Sequence, residues 1–200
     1  MSAKKKLIVS LASICVVAFM AIVTIAIVLA NANAGVKNGV NITYRVNGNN
    51  VAGTVSAEYK LAGDENATAI GTTQTFDGSE STGAQKDLPQ ADITLTADKK
   101  NVVFTYTFTA DTSKTSTQYG YTAVLTYTDD STADVNVKVE VSSNGTDYTA
   151  VIDWASANAQ VDVTSATAVK YYVRVSIVDT LSDASFSGNF AWAMTAKTAA

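Results

Sequence analysis

The chain lacks histidine altogether and has one cysteine and one proline among its 200 residues. Without histidine it has none of the side chains that most often serve as general base, proton shuttle or metal ligand. Cys15 follows Ile14 inside an apolar segment, whereas lipid attachment needs a small residue before the cysteine at the end of such a segment. We interpret Cys15 as a small packing residue. After residue 34 no thiol is present, so disulfides and thiolate chemistry are excluded there.

Sequence fragments that resemble catalytic motifs are better explained as turns. Asp111 and Asp179 begin the triplets Asp-Thr-Ser and Asp-Thr-Leu, but neither triplet has the glycine that an aspartic-protease loop needs. Asx-type turns at strand ends explain both. Ser79 and Ser81 lack the strand–turn–helix context of a nucleophile elbow. The sequence therefore predicts that the protein is not an enzyme, with no catalytic residue and no cofactor.

Acidic residues outnumber basic ones after the N-terminal segment. Residues 35–200 hold all 18 acidic side chains and 11 of the 14 basic ones, a net charge of −7. This balance disfavours nucleic acid as a partner, because its phosphates require a basic surface. It suits a protein that is soluble or displayed on a surface.

The first 34 residues have the pattern of an export signal. Three lysines at positions 4–6 precede an uncharged run over residues 7–30, and the segment ends in Ala-Asn-Ala-Asn-Ala at Ala34. A basic flank, an apolar stretch and small residues before a cleavage point are typical of secretory signals. We predict cleavage between Ala34 and Gly35, with an alternative site two residues earlier. The membrane and a signal peptidase are the partners that export implies.

The apolar run is also long enough to stay in a membrane. As a helix, its 24 residues would extend about 36 Å, and a bilayer's hydrocarbon core is roughly 30 Å thick. Secretory signals commonly have only about 7–15 apolar residues. Two outcomes follow: cleavage and secretion, which the small residues favour, or retention as a single N-terminal anchor at the cell surface.

Alternation of apolar and polar residues dominates the chain after residue 40 and predicts β-strands. Phe104, Tyr106 and Phe108 share one face of such a segment, and threonines share the other. This is the pattern of a strand with one buried face. The predicted strands are 40–46, 51–61, 92–97, 102–109, 121–128, 133–141, 148–154, 169–178 and 186–195.

Turn sequences fit between these strands, with Asn47-Gly48 after the first and Asn144-Gly145 before the seventh. Such spacing predicts an all-β fold, an antiparallel β-sandwich of Ig-like or jelly-roll type with Greek-key links, after the N-terminal apolar helix. An up-and-down barrel is the alternative. We assign residues 1–34 to the signal peptide or anchor and 35–200 to a single domain. Within it, 63–90 is predicted to be a long loop with one edge strand near 69–76.

Aromatic side chains and acidic loops are the remaining candidates for a binding site. Exposed aromatic rings could stack on a glycan. The alternation of apolar and polar residues, however, places both tryptophans in the core and the two adjacent tyrosines on opposite faces of one strand. The acid pairs Asp64-Glu65 and Asp129-Asp130 lack the ligand spacing of a calcium loop. We therefore predict no metal site. The aromatic candidates are Trp154, Trp192, Tyr171 and Tyr172.

Four features of the sequence occur together. They are the lysine-led signal, the Ala-Asn-Ala-Asn-Ala junction, an all-β region that begins at once, and the closing strands over 170–175 and 186–192. This combination resembles the TasA/camelysin group of Gram-positive surface and biofilm-matrix proteins, which are exported by a SipW-type signal peptidase. The likeness extends over the whole chain in outline, apart from the loop 63–90. It implies a cell-surface or fibre-forming structural protein.

In that family's fibres, the segment freed by signal cleavage acts as a strand donated to the neighbouring subunit. The resemblance implies residues 35–46 as the donor strand here, with Val40, Ile42 and Tyr44 as the alternating inward residues. Main-chain hydrogen bonds would supply affinity and alternate side chains would supply register. From the residues alone, the alternative is that 40–46 pairs within its own domain through the Asn47-Gly48 turn.

Three functions follow from these observations. The first is an exported structural or adhesive protein that associates with itself into homo-oligomers or fibres. The second is a membrane-tethered binding module for a glycan or a protein, anchored by an uncleaved segment 7–30. The third is a pilin-like subunit. Two features of pilins are missing here: the glycine at the processing site and the glutamate just inside the helix.

Overall fold

The computed structural model describes residues 38–79, 84–96, 98–114, 120–129, 137–150, 159–177 and 186–197. The predicted signal segment with Ala34 and Gly35 lies outside these residues, as do Trp154 and Asp179. All regular structure in the described residues is β-strand, which confirms the all-β prediction. Among them there is no helix long and apolar enough to cross a membrane.

The described strands form two sheets. The first sheet contains, in spatial order, β10 (Gln160–Val163), β7 (Tyr121–Asp129), β12 (Phe186–Ala196), β1 (Asn38–Asn49) and β5 (Ala84–Leu95). The second sheet contains β3 (Thr68–Ala69), β2 (Ala52–Leu61), β6 (Asn101–Ala110), β11 (Val169–Ile177), β8 (Val137–Ser142) and β9 (Thr149–Ala150). The short strand β4 (Gln74–Asp77) also pairs with β2.

Strand pairing is antiparallel, as predicted, except between β1 and β12. Among the described pairs this one alone is parallel, and its register runs from Val40 opposite Phe186 to Asn49 opposite Thr195. Parallel neighbours need a long crossover, and here the whole chain between the first and last strands provides it. A strand near the start of the chain therefore lies beside the last one.

The two sheets face each other through an aromatic core. Trp192 of β12 is fully buried, and its ring centroid lies 4.9 Å from that of Phe108, 5.2 Å from that of Tyr106 and 5.5 Å from that of Tyr171. These three partners belong to the second sheet, so Trp192 joins the sheets. This packing is that of a β-sandwich. The fully buried Phe104, Tyr106 and Phe108 confirm the predicted inward face of β6.

The predicted loop over 63–90 is wrong in its last part, because β5 begins at Ala84 and continues through Pro89. A proline is tolerated there since β5 is an edge strand of the first sheet. Gly71 packs against it so closely that a Cβ on Gly71 would lie 2.4 Å from Cδ of Pro89. The edge strand predicted near 69–76 corresponds to β3 and β4, whereas the short strand β10 was not predicted.

The Asn47-Gly48 turn is the second wrong prediction. Both residues lie inside β1, and β1 and β2 belong to different sheets. The glycine is needed for close packing, because a Cβ on Gly48 would lie 2.4 Å from Cδ1 of Phe76. The chain turns instead at Asn50, whose φ of 52° is left-handed, a conformation that asparagine tolerates better than most residues.

Candidate functional site

The predicted donor strand occupies an interior position in the first sheet. β1 pairs in parallel with β12 on one side and antiparallel with β5 on the other. The backbones of Val40, Ile42 and Tyr44 lie in this strand, while their side chains lie outside what the structure describes. Their register partners are Phe186, Gly188 and Phe190 in β12 and Ile93, Ala91 and Leu88 in β5.

Within the described residues, β5 has no strand partner in its sheet other than β1. Without β1, both β5 and β12 would present an unpaired edge to the gap between them. Only Asn50 and Val51 separate β1 from β2, and Val51 and the nearby Val46 are fully buried. The strand is therefore needed to complete the sheet, yet it is joined to the rest of the fold at one end by a two-residue connector.

Three of the four aromatic candidates lie where the alternation predicts. Trp192 and Tyr171 are buried in the core, and Tyr172, the next residue along β11, lies on the outer face of the second sheet and is half-buried. Trp154 is outside the described residues. Of the four, Tyr172 is the ring that the structure places at a surface.

A groove of about 430 Å³ lies on this outer face and is lined in part by Tyr172. Thr105 of β6 lies between Glu58 of β2 and Tyr172 of β11, since both are its register partners. Tyr148, from the loop after β8, also lines the groove. The sequence pointed to Tyr172 but not to Glu58 or Tyr148, because no local pattern reveals which residues of distant strands share a row.

A buried carboxylate supports one side of this groove. Glu140 of β8 has a side chain only 7% exposed and forms ion pairs of 2.7 Å with both Lys138 and Arg174. Arg174 in turn lies 4.0 Å above the ring centre of Tyr148. Burial by itself would raise the pKa of the Glu140 carboxyl, but hydrogen bonds and charge from Lys138 and Arg174 outweigh burial and lower it.

Replacing Glu140 with glutamine should reduce stability most at neutral pH. Because the folded-state pKa is lowered, the stabilisation is fully present above the unfolded-state value of about 4.3 and is lost as the pH falls through the folded-state pKa. We expect the Glu140→Gln variant to lose about 1.5–3 kcal/mol of unfolding free energy at pH 7. Urea unfolding at pH 7 and at about pH 3 should show this loss shrinking in acid.

Glu65→Gln is the matched control, because Glu65 is exposed in a loop and its replacement should change stability by no more than about 0.5 kcal/mol. An equal loss from Glu140→Gln at both pH values would contradict an electrostatic origin.

The acidic and serine-containing candidates contact other groups of the protein. Asp64 forms an ion pair with Lys99, and Asp129 ends β7. Asp111 accepts hydrogen bonds from the backbone N–H (3.0 Å) and the hydroxyl (2.6 Å) of Ser113, which lower the pKa of its carboxyl. This is the predicted Asx turn. The described residues contain no cluster of three or more side chains suited to a metal ion.

No protein-family model matches the chain, and no curated protein matches it in sequence. Two features of the molecule bear on its function, the interior strand β1 and the groove on the second sheet.

Proposed function

We propose that this chain is an exported structural or adhesive protein of the cell surface or extracellular matrix, which associates with itself by donating residues 35–46 to a neighbouring copy. The observation that carries the proposal is the interior position of β1 between β5 and β12. The same strand from another copy can fill this position with the same contacts. Export is supported by the signal pattern of residues 1–34.

The connector favours such an exchange. The strand makes the same ladder in a closed monomer and in an assembly, so the two states differ mainly in the conformation of the chain around Asn50 and Val51 and in the cost of association. Asn50 already has a left-handed φ. A change of its backbone angles would let β1 leave its own sheet while β2 stays in place.

A reversible lock, meaning a disulfide that holds β1 in its own sheet, tests the proposal. Arg45 and Asp87 face each other across β1 and β5, and a chain that begins at Gly35 has no cysteine of its own. The variant Arg45→Cys, Asp87→Cys, oxidised as a monomer, should form no filaments in negative-stain electron microscopy. Reduction should restore them. Oxidation after assembly should give covalent ladders of subunits on a non-reducing gel.

The control is a second lock in the same sheet that leaves β1 free. Thr126→Cys with Ala191→Cys joins facing residues of β7 and β12 and should assemble whether oxidised or reduced. Filaments from the oxidised β1 lock would contradict strand donation. So would a parent chain from Gly35 that stays monomeric at every concentration tested.

A membrane-tethered binding module for a glycan or a protein is the second candidate, and the groove beside Tyr148 and Tyr172 favours it. In this case residues 7–30 remain as the anchor. N-terminal sequencing of the protein from expressing cells separates the two: a start at Gly35 supports the released subunit, and an intact N-terminus supports the tether.

For the finer fold type we propose an Ig-like or jelly-roll sandwich with Greek-key links. The support is that the chain changes sheet between β5 and β6 and again between β6 and β7. Residues of both sheets contribute to one buried cluster, as expected of a single domain over 35–200.

A further inference from the structure

We propose that the groove on the outer face of the second sheet binds a neutral six-membered sugar ring. The groove belongs to the sheet that does not contain β1. The inference therefore stands whether or not the protein forms fibres, and it specifies the ligand of the binding-module candidate.

Two rows of side chains cross three neighbouring strands at this groove. Neighbouring strands lie about 4.8 Å apart, so Glu58 and Tyr172, on either side of Thr105, stand on strands about 10 Å apart. Thr105 has a short side chain, so the row is high at Glu58 and Tyr172 and low between them. The next row consists of Lys60, Val103 and Arg174, of which Lys60 and Val103 line the groove.

The aromatic side of the groove is held in place by its surroundings. Arg174 covers one face of the Tyr148 ring and is itself fixed by Glu140. Gly145 lies against the Tyr172 ring so closely that a Cβ there would be 3.0 Å from Cζ. The loop that carries Gly145 is closed by Ser142, whose hydroxyl oxygen accepts the Gly145 N–H at 2.9 Å.

The opposite side is fixed in the same way. The Ala62 N–H donates to the carbonyl of Asn101 at 2.9 Å, and the Lys60 ammonium donates to the carbonyl of Glu65 at 3.1 Å. Asp64 is paired with Lys99. Both sides are thus formed before a ligand arrives, which lowers the entropy lost on binding.

The groove's charges point to a neutral ligand. Glu58 and Lys60 lie two residues apart on one face of β2 and oppose each other in sign, and Asp64 is neutralised by its lysine partner. Within the described residues, no group is hydrogen-bonded to the Glu58 carboxylate. It can accept two neighbouring hydroxyl groups, while the tyrosine rings receive the apolar C–H face of a sugar. A groove of about 430 Å³ falls in the range of small-molecule sites.

Two other ligand classes fit less well. A peptide cannot add as a strand, because β2, β6 and β11 pair with one another beneath the groove and offer no free edge there. The Glu58 carboxylate and the net negative charge of the protein would repel the phosphates of a nucleic acid.

Saturation-transfer difference NMR tests the inference, with protein purified after expression of the full chain. The probes are the methyl glycosides of glucose, galactose and N-acetylglucosamine, with glucuronic acid and glucosamine as charged comparisons. We expect at least one neutral glycoside to bind with a dissociation constant of the order of 1 mM and to receive saturation on its ring C–H protons. The charged sugars should bind at least fivefold more weakly than the best neutral one.

Two matched pairs of variants locate the site. Val103→Phe fills the middle of the groove, whereas Thr107→Phe places the same ring farther along the outer face of β6, outside the groove lining. Glu58→Gln removes the acceptor charge, whereas Glu65→Gln removes a charge outside the lining. The first member of each pair should weaken binding at least tenfold, and the second should leave it unchanged.

Three outcomes would overturn the inference: no transfer to any neutral glycoside at about 20 mM, equal weakening by both members of a pair, or tighter binding of a charged sugar. Glu58→Gln is nearly isosteric and keeps the test decisive if Val103→Phe fails to fold. Sugar binding by a protein that never forms filaments would refute strand donation alone.

Discussion

Replacing Trp192 with alanine should lower the free energy of unfolding by about 3–5 kcal/mol. The side chain is fully buried and contacts the rings of Phe108, Tyr106 and Tyr171 across the two sheets. Its removal leaves a cavity that the surrounding strands can close only in part. Urea unfolding should show the loss, and the melting temperature should fall by roughly 6–20 °C. Far-UV circular dichroism is the appropriate signal, because the variant keeps only one of two tryptophans.

Two further variants define what Trp192 contributes. Trp192→Phe keeps a ring between the sheets and should lose less than the alanine variant, about 1–2 kcal/mol. Ala193→Ser changes an exposed neighbour in the same strand and should stay within about 0.5 kcal/mol of the parent. A loss below about 1.5 kcal/mol from Trp192→Ala would contradict its place at the contact between the sheets.

The buried face of β6 could be predicted because alternation is a local signal. Phe104, Tyr106 and Phe108 recur at every second position, and the structure buries all three. Tyr171 and Tyr172 were separated correctly by the same rule, which tells inside from outside. Alternation says nothing about which strand lies beside which.

The partners of β1 could not be predicted for this reason. Asn47-Gly48 has the composition of a hairpin turn, but the glycine serves the close approach of Phe76, and the reversal falls at Asn50. The parallel neighbour β12 is more than 130 residues away in sequence. In β5, Pro89 and the polar residues around it resemble a loop, and only the edge position of the strand makes them compatible with a sheet.

The residues that line the groove could not be predicted together for the same reason. Glu58 and Tyr172 are 114 residues apart in the chain and share a row only because each pairs with Thr105. The part of the site that the sequence does reveal is the outward direction of single residues. Its polar and aromatic sides come together through strand register, which is a property of the whole sheet.

Replacing Gly53 with alanine should be among the most damaging single changes to the second sheet. Gly53 lies in β2 between β4 and β6, in register with Phe76 and Ala110. A Cβ there would lie 2.1 Å from the carbonyl oxygen of Thr109, and because this atom belongs to the backbone of β6, no side-chain rotation can relieve the contact. We expect a loss of about 3 kcal/mol or more, measured by urea unfolding.

Gly63→Ala separates crowding from backbone conformation. Both glycines have a positive φ, 158° at Gly53 and 83° at Gly63, but nothing lies within 4 Å of the position of a Cβ on Gly63. This variant should lose only the conformational contribution, about 1–2 kcal/mol. If the two alanine variants lost the same amount, the close approach of β2 to β6 at Gly53 would not be the cause. If Gly53→Ala loses distinctly more, the contact with Thr109 explains why this position, between two paired strands, has no side chain.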